Sequence, residues 1–146
     1  MEVIKWMSIA DRHTKIFLDK HLDEMGLNSS QYMYILRVCR QPGITQDCFI
    51  RLFYIHPSNV TRAIAALEKE GFLERRSNQG DKRTCRLFPT QKALLVNETI
   101  QALCAQWQER LLAGFDEPQK EQFLQMLEQA AKNAVDGVMQ DRENME

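Results

Sequence analysis

Between Gly71 and Thr90 the hydrophobic period of this chain changes, and that change limits the fold more than any other feature. On both sides of the interval apolar residues recur every three or four positions, the spacing of amphipathic helices. Inside it, Phe72–Ser77 and Arg83–Phe88 read as two short strands separated by Asn78-Gln79-Gly80-Asp81, a cluster of turn formers. The pattern predicts a mainly α chain interrupted once by a small β-hairpin.

The helices can be bounded from their stop signals. Met7, Ala10, Thr14, Phe17, Leu18, Leu22 and Met25 mark a first helix within residues 3–25, closed by Gly26 at its C′ position. Asn28 with Gln31, and Leu27 with Tyr32, supply the cap and the hydrophobic staple of a second helix that runs to about Arg40, before Pro42-Gly43. Thr45 caps a third, with Ile44 and Phe49 as its staple, and the break at Ile55-His56-Pro57 ends it. Pro57 suits the first position of a fourth helix, which reaches Glu70 before Gly71 stops it. His56 is a poor residue type for that cap, so this terminus is expected to be weaker by ~1 kcal/mol. After the hairpin, Thr90 caps a long helix carrying Val96, Ile100, Leu103, Trp107 and Leu111, and Pro118 opens a last one carrying Phe123, Leu127, Ala130, Ala134 and Val138. The order is α-α-α-α-β-β-α-α. Two short helices followed by a hairpin are the arrangement of a winged helix-turn-helix lobe.

Three segments result: an N-terminal helix in 1–28, the winged lobe in 29–89, and C-terminal helices in 90–146. A helix from Gln91 to about Gly114 would extend ~36 Å, longer than a small lobe is wide. A second copy of the chain is the economical cover for its apolar stripe, and two-fold symmetry would then supply two lobes. A helical pair within one chain is the alternative.

Composition narrows the class further. With 146 residues, 44% hydrophobic and 27% charged, the chain matches an ordinary globular domain, and nothing approaches the ~20 apolar residues of a bilayer span. The N-terminus has no secretory signal pattern. Cys39, Cys48, Cys85 and Cys104 are scattered, which fits reduced thiols and a cytoplasmic location. The net charge is only −1, yet residues 51–86 carry eight Lys/Arg against four acids. Residues 116–146 reverse that balance, with eight acids against three Lys/Arg. A basic middle in a near-neutral chain points to an anionic partner, with nucleic acid foremost.

On the fourth helix, Val60, Ala63, Ile64 and Leu67 share the side that would face a core. Ser58, Arg62, Ala65 and Lys69 lie opposite, flanked by Asn59 and Thr61. Small and polar side chains at the N-terminal end of such a face can enter a major groove. Arg62 suits guanine or a phosphate, Asn59 suits adenine, and Ser58 and Thr61 suit phosphates. The hairpin adds Arg75, Arg76, Lys82, Arg83 and Arg86, as a wing reaching for phosphates or a narrow minor groove would. A solvated helix face and a charged edge strand explain each feature singly; together they fit double-stranded DNA better.

Val60-Thr61-Arg62, the run Leu67-Glu68-Lys69-Glu70-Gly71-Phe72-Leu73-Glu74-Arg75, Asp81-Lys82-Arg83 and Leu27-Asn28-Ser29-Ser30-Gln31 carry a resemblance to the multiple-antibiotic-resistance regulator (MarR) family. It covers nearly the whole chain. The resemblance implies a homodimeric bacterial transcription regulator, a repressor by occupancy of a pseudo-palindromic operator, dimerising through its first, fifth and sixth helices. It places Arg62 on the recognition helix and Arg83 at the wing, with Asp81 positioning the wing through an arginine such as Arg75 or Arg83. Phe88-Pro89-Thr90-Gln91-Lys92-Ala93 departs from the family's usual Leu-Thr-x-x-Gly and predicts a stiffer joint before the fifth helix. Some members bind small aromatic ligands. Trp6, Phe17, Tyr32, Met33 and Trp107 would line such a pocket here, core packing being the other reading of the same residues.

Catalysis has little support, since no phosphate loop or nucleophile elbow is present. No cofactor is expected. His21 and Glu24 have a zinc-compatible spacing that two exposed polar residues explain equally well, so no metal site is assigned. Cys48 and Cys39 are candidates for oxidant sensing if a thiolate is stabilised, with packing the ordinary role. The competing functional classes are a winged-helix module for an acidic protein partner and a redox- or metal-responsive sensor.

Overall fold

The computed structural model describes residues 1–78 and 81–145, and of residues 78 and 81–84 the backbone alone. In chain order the elements are α1 (Glu2–Leu22), a 3-10 turn (Asp23–Met25), α2 (Tyr32–Arg40), β1 (Ile44–Thr45), α3 (Gln46–Phe53), α4 (Pro57–Lys69), β2 (Leu73–Asn78), β3 (Asp81–Pro89), α5 (Gln91–Leu111) and α6 (Glu117–Met145). They form two compact units, Met1–Trp107 and Gln108–Glu146. Among the described residues no helix is long and apolar enough to cross a membrane.

The first unit has one continuous core. Phe17, Leu18 and Leu22 of α1 meet Tyr34, Ile35 and Val38 of α2, Phe49 of α3, the buried side of α4, Leu87 of β3, and Ala93 and Ile100 of α5. Each such aliphatic side chain contributes roughly 1.5–3 kcal/mol when fully buried. The apolar spacing of α1, α4 and α5 therefore decides which side of each helix turns inward.

Local signals set most boundaries. At the end of α4 the Phe72 N–H bonds Leu67 O (2.9 Å) and the Gly71 N–H bonds Glu68 O (3.1 Å), with Gly71 at φ +83°. This is a Schellman ending, and Leu67 and Phe72 are both buried in it. Among the described residues nothing would lie within 4 Å of a Cβ at Gly71, so the glycine answers a backbone requirement and not a lack of space. Gly71→Ala is expected to lower stability by about 1 kcal/mol through the left-handed conformation alone. Thermal unfolding would read this as a lower Tm, and an unchanged Tm would contradict it.

Three helix starts differ from expectation in where they lie or how they are capped. Asn28 Oδ1 accepts from the Ser30 N–H (2.9 Å) and Gln31 Oε1 from the Asn28 N–H (3.2 Å), so the reciprocal cap forms. It closes a turn, however, and α2 itself begins at Tyr32. Thr45 stands at the N-cap of α3, but its hydroxyl bonds Cys48 Sγ (3.2 Å) and not a backbone N–H. His56 corrects the expectation of a weak cap: its Nδ1 accepts from the Ser58 N–H at 3.2 Å, the bond an aspartate or serine would make.

The hairpin belongs to a three-stranded antiparallel sheet in the order β1-β3-β2. β1, two residues long, pairs Ile44 with Leu87 and Thr45 with Arg86. β2 and β3 pair from Leu73–Pro89 to Ser77–Cys85, with an irregularity after Ser77.

The joint into α5 is tightly bonded. The Thr90 hydroxyl donates to Gly71 O (2.6 Å), with Phe72 O also near (3.1 Å), and it accepts the Ala93 N–H (3.3 Å). Lys92 Nζ donates to Glu70 O (2.8 Å) and lies 4.3 Å from the centre of the Phe72 ring.

The second unit is built on α6. Asp116 and Gln119 cap it reciprocally, at 3.0 and 2.9 Å, and Phe115 meets Phe123 edge to face. No side chain of α6 is buried; Leu127 is 44% exposed, Val138 54% and Met139 52%.

Candidate nucleic-acid interface

The α4 helix separates its two sides completely. Val60, Ile64 and Leu67 are 0% exposed, while Ser58, Asn59, Thr61, Arg62 and Lys69 are all exposed. The structure therefore brings the five proposed recognition-helix residues onto one free surface.

Their hydrogen bonds assign different capacities to each. Ser58 Oγ lies 2.7 Å from His56 Nδ1, which also accepts the Ser58 N–H. With Nδ1 as the acceptor, the proton of the neutral ring sits on Nε2 and the Ser58 hydroxyl proton turns inward. Arg62 donates to Asn59 Oδ1, so guanidinium and amide form a pair on the surface. The Thr61 hydroxyl donates to Pro57 O (3.0 Å) and receives a bond from Gln46 Nε2 of α3 (2.6 Å). Gln46 is not legible in the sequence, because its contact with Thr61 spans 15 positions, which no local pattern reports; His56 is legible as the start of α4, but its residue type argues against the cap it makes.

The wing arginines divide as well. Arg75 Nε lies 2.9 Å from Glu68 Oε2, so this half-buried guanidinium ties β2 to the end of α4. Arg76 lies over the Phe88 ring, 4.2 Å from its centre, and 3.3 Å from Glu74. Arg86 is exposed and bonds Gly43 O (3.1 Å), joining β3 to the loop before β1. The side chains of Asp81, Lys82 and Arg83 lie outside the described residues.

The five proposed pocket residues do not gather as one group. Phe17 and Trp107 stack with ring centres 4.5 Å apart and 18° between planes, and the Trp107 indole N–H donates to Thr14 Oγ1 (2.8 Å). Tyr32 and Met33 are half-buried against the same core. Burial pushes the Tyr32 phenol above its usual range, helped by Cys104. Trp6 is 58% exposed and bonds Glu2 (3.2 Å). It precedes Phe17 by eleven helical residues, about 16 Å along α1.

The cysteines differ in acidity. Burial raises Cys39 and Cys104. Cys48 is lowered, first by its hydrogen bond with Thr45; burial opposes this, and the nearby Arg51 guanidinium lowers it further. A lowered pKa means more thiolate at a given pH, and the thiolate is the nucleophile. Iodoacetamide should therefore modify Cys48 at lower pH than Cys39 or Cys104, as read by peptide mass spectrometry across a pH series. Equal labelling of the three at every pH would contradict this. Among the described residues no three His, Cys, Asp or Glu side chains come together to hold a metal ion.

The comparisons with known proteins agree with this geometry. Residues 27–85 match the MarR family model. An uncharacterized HTH-type transcriptional regulator of Bacillus subtilis (strain 168), YwoH, is 33% identical over 107 residues, covering 72% of this chain and 76% of that protein. The crystal structure of the transcriptional regulator SlyA superposes with a TM-score of 0.87 at 26% identity, covering 94% of this chain and 96% of that one. A MarR family regulator from Listeria monocytogenes, solved with 26mer DNA, superposes with a TM-score of 0.85 at 25% identity, covering 92% and 89%. With the α3–α4 pair, the basic wing and relatives of this length in hand, the chain belongs to the MarR family of transcription regulators.

Proposed function

We propose that the protein acts as a homodimer that occupies a pseudo-palindromic operator and represses by doing so. The observation that carries this reading is the polar surface of α4, exposed while Val60, Ile64 and Leu67 on its opposite side are fully buried, with an arginine-bearing hairpin following it directly. Such a helix enters the major groove with its first turns toward base edges while the wing engages the backbone. Double-stranded DNA is the partner, and no catalytic step is involved. The apolar residues exposed along α6, and Val3, Ile4 and Met7 exposed on α1, are the surfaces that a second copy would cover. Release by a small aromatic ligand at the Phe17–Trp107 region completes the proposal. The thiol-sensing alternative rests on Cys48, whose surroundings favour the thiolate.

The test is selection of bound duplexes from a randomised DNA library at near-physiological salt. A palindrome with half-sites about one helical turn apart is the expected result. Weak binding that selects no sequence and disappears as salt rises would leave only phosphate attraction and favour the acidic-partner module instead.

A further inference from the structure

A threonine hydroxyl has one proton to give and two lone pairs to offer. At Thr61 the proton is directed to Pro57 O, a carbonyl that can only accept. The Thr61 oxygen must then be the acceptor of the 2.6 Å contact with Gln46, and only the amide nitrogen of Gln46 can supply that proton. This settles the orientation of the Gln46 side chain, with Nε2 on Thr61. When the hydrogen trans to Oε1 is the one given to Thr61, the second Nε2 hydrogen and Oε1 lie side by side on one edge. Among the hydrogen bonds of the described residues, neither has a partner.

Thr61 is exposed on the outward side of α4 next to Arg62, and Gln46 itself is half-buried, so the anchored amide lies at the border of that surface. It also starts half-immobilised, being held on a helix at its base and on Thr61 at its tip. A donor and an acceptor side by side match N7 and the N6 amino group of adenine in the major groove, the pairing that a glutamine or asparagine amide makes with that base. Meanwhile Asn59, the residue put forward for adenine from sequence, has its Oδ1 occupied by Arg62. Thr61 has no proton left to donate.

We infer that Gln46 is a base-reading residue: α3 contributes to sequence discrimination, with Thr61 serving as the anchor that aims the Gln46 amide at adenine. The inference rests on the reading of α4 as the helix that enters the major groove. Thr61 is a positioning residue in this scheme and touches no base.

The experiment compares full-length wild type, Gln46→Ala and Thr61→Val by library selection, then by titration of the preferred duplex and its single-base variants at several salt concentrations. Gln46→Ala is expected to bind the preferred duplex roughly 5- to 150-fold more weakly, the loss of one bidentate base contact. It should also lose the preference for adenine at one symmetry-related position in each half-site. The slope of log Kd against log salt should stay unchanged, since no phosphate contact is removed. Thr61→Val should blur the same position with a smaller loss, because Gln46 remains but is no longer aimed. If the wild type enriches a palindrome and Gln46→Ala enriches the same one with the same adenine preference, the inference is overturned while the regulator reading stands. Uniform weakening on every duplex also overturns it, by making Gln46 a brace between helices. A wild type that enriches no sequence overturns both.

Discussion

A chain carrying Leu127→Asp together with Val138→Asp is expected to sediment as a monomer at micromolar concentration and to bind its operator some 10²- to 10⁴-fold more weakly. Both residues lie on the exposed apolar stripe of α6, 44% and 54% exposed, so the isolated protomer loses almost nothing by the exchange. A dimer that buries them loses four apolar side chains, two from each protomer. About half of each side chain is already covered within the protomer, so the loss is about half the full-burial value each, ~3–6 kcal/mol in all, a large part of the ~8–12 kcal/mol that holds micromolar to nanomolar complexes. Charges placed in a closing interface add to the loss. The drop in operator affinity follows because two linked lobes bind as one ligand, whereas separate lobes forfeit that effective concentration. Sedimentation and circular dichroism together provide the reading. A folded dimer that survives both substitutions would show that α6 is not the dimer surface.

Arg62→Ala should cost the operator complex ~1–3 kcal/mol and relax the base preference at the position that Arg62 reaches. The residue is exposed on α4, and among the described residues its guanidinium is engaged only by a neutral amide, Asn59 Oδ1. It therefore gives up little to meet guanine. Arg83→Ala, at the wing, should weaken binding to all duplexes alike and flatten the salt dependence, as loss of a phosphate contact does. Titrations of both variants against specific and scrambled duplexes separate the two behaviours. Equal, small effects from both would remove the division of labour between helix and wing.

Much of the fold was legible because its signals are local. The stripe Val60, Ile64, Leu67 and the stop at Gly71 fix α4 within a residue, and Pro57 marks its start. β1 was missed because two residues carry no period; Ile44 is defined as a strand by Leu87, more than forty positions away. The site divides along the same line. That Ser58, Asn59, Thr61, Arg62 and Lys69 share an exposed surface follows from 100° per residue. How their protons are committed does not follow, since the partners of Thr61 and Arg75 come from other elements, Gln46 of α3 and Glu68 of α4. His56 failed for another reason: residue-type preference is a weak guide when a ring nitrogen can stand where a carboxylate usually does.

The bonds at Thr90 and Lys92 have a mechanical meaning. The residues just after α4 and the first turn of α5 are joined by one shared hydroxyl, an ammonium on Glu70 O and a backbone bond from the Thr90 N–H to Phe72 O (3.1 Å). A joint bonded in this way would act as a crank, rotation of α5 turning α4 with it. In the proposed homodimer the distance between the two reading heads would then be copied from the helices that join them, with little slack to accommodate an operator one base pair too long.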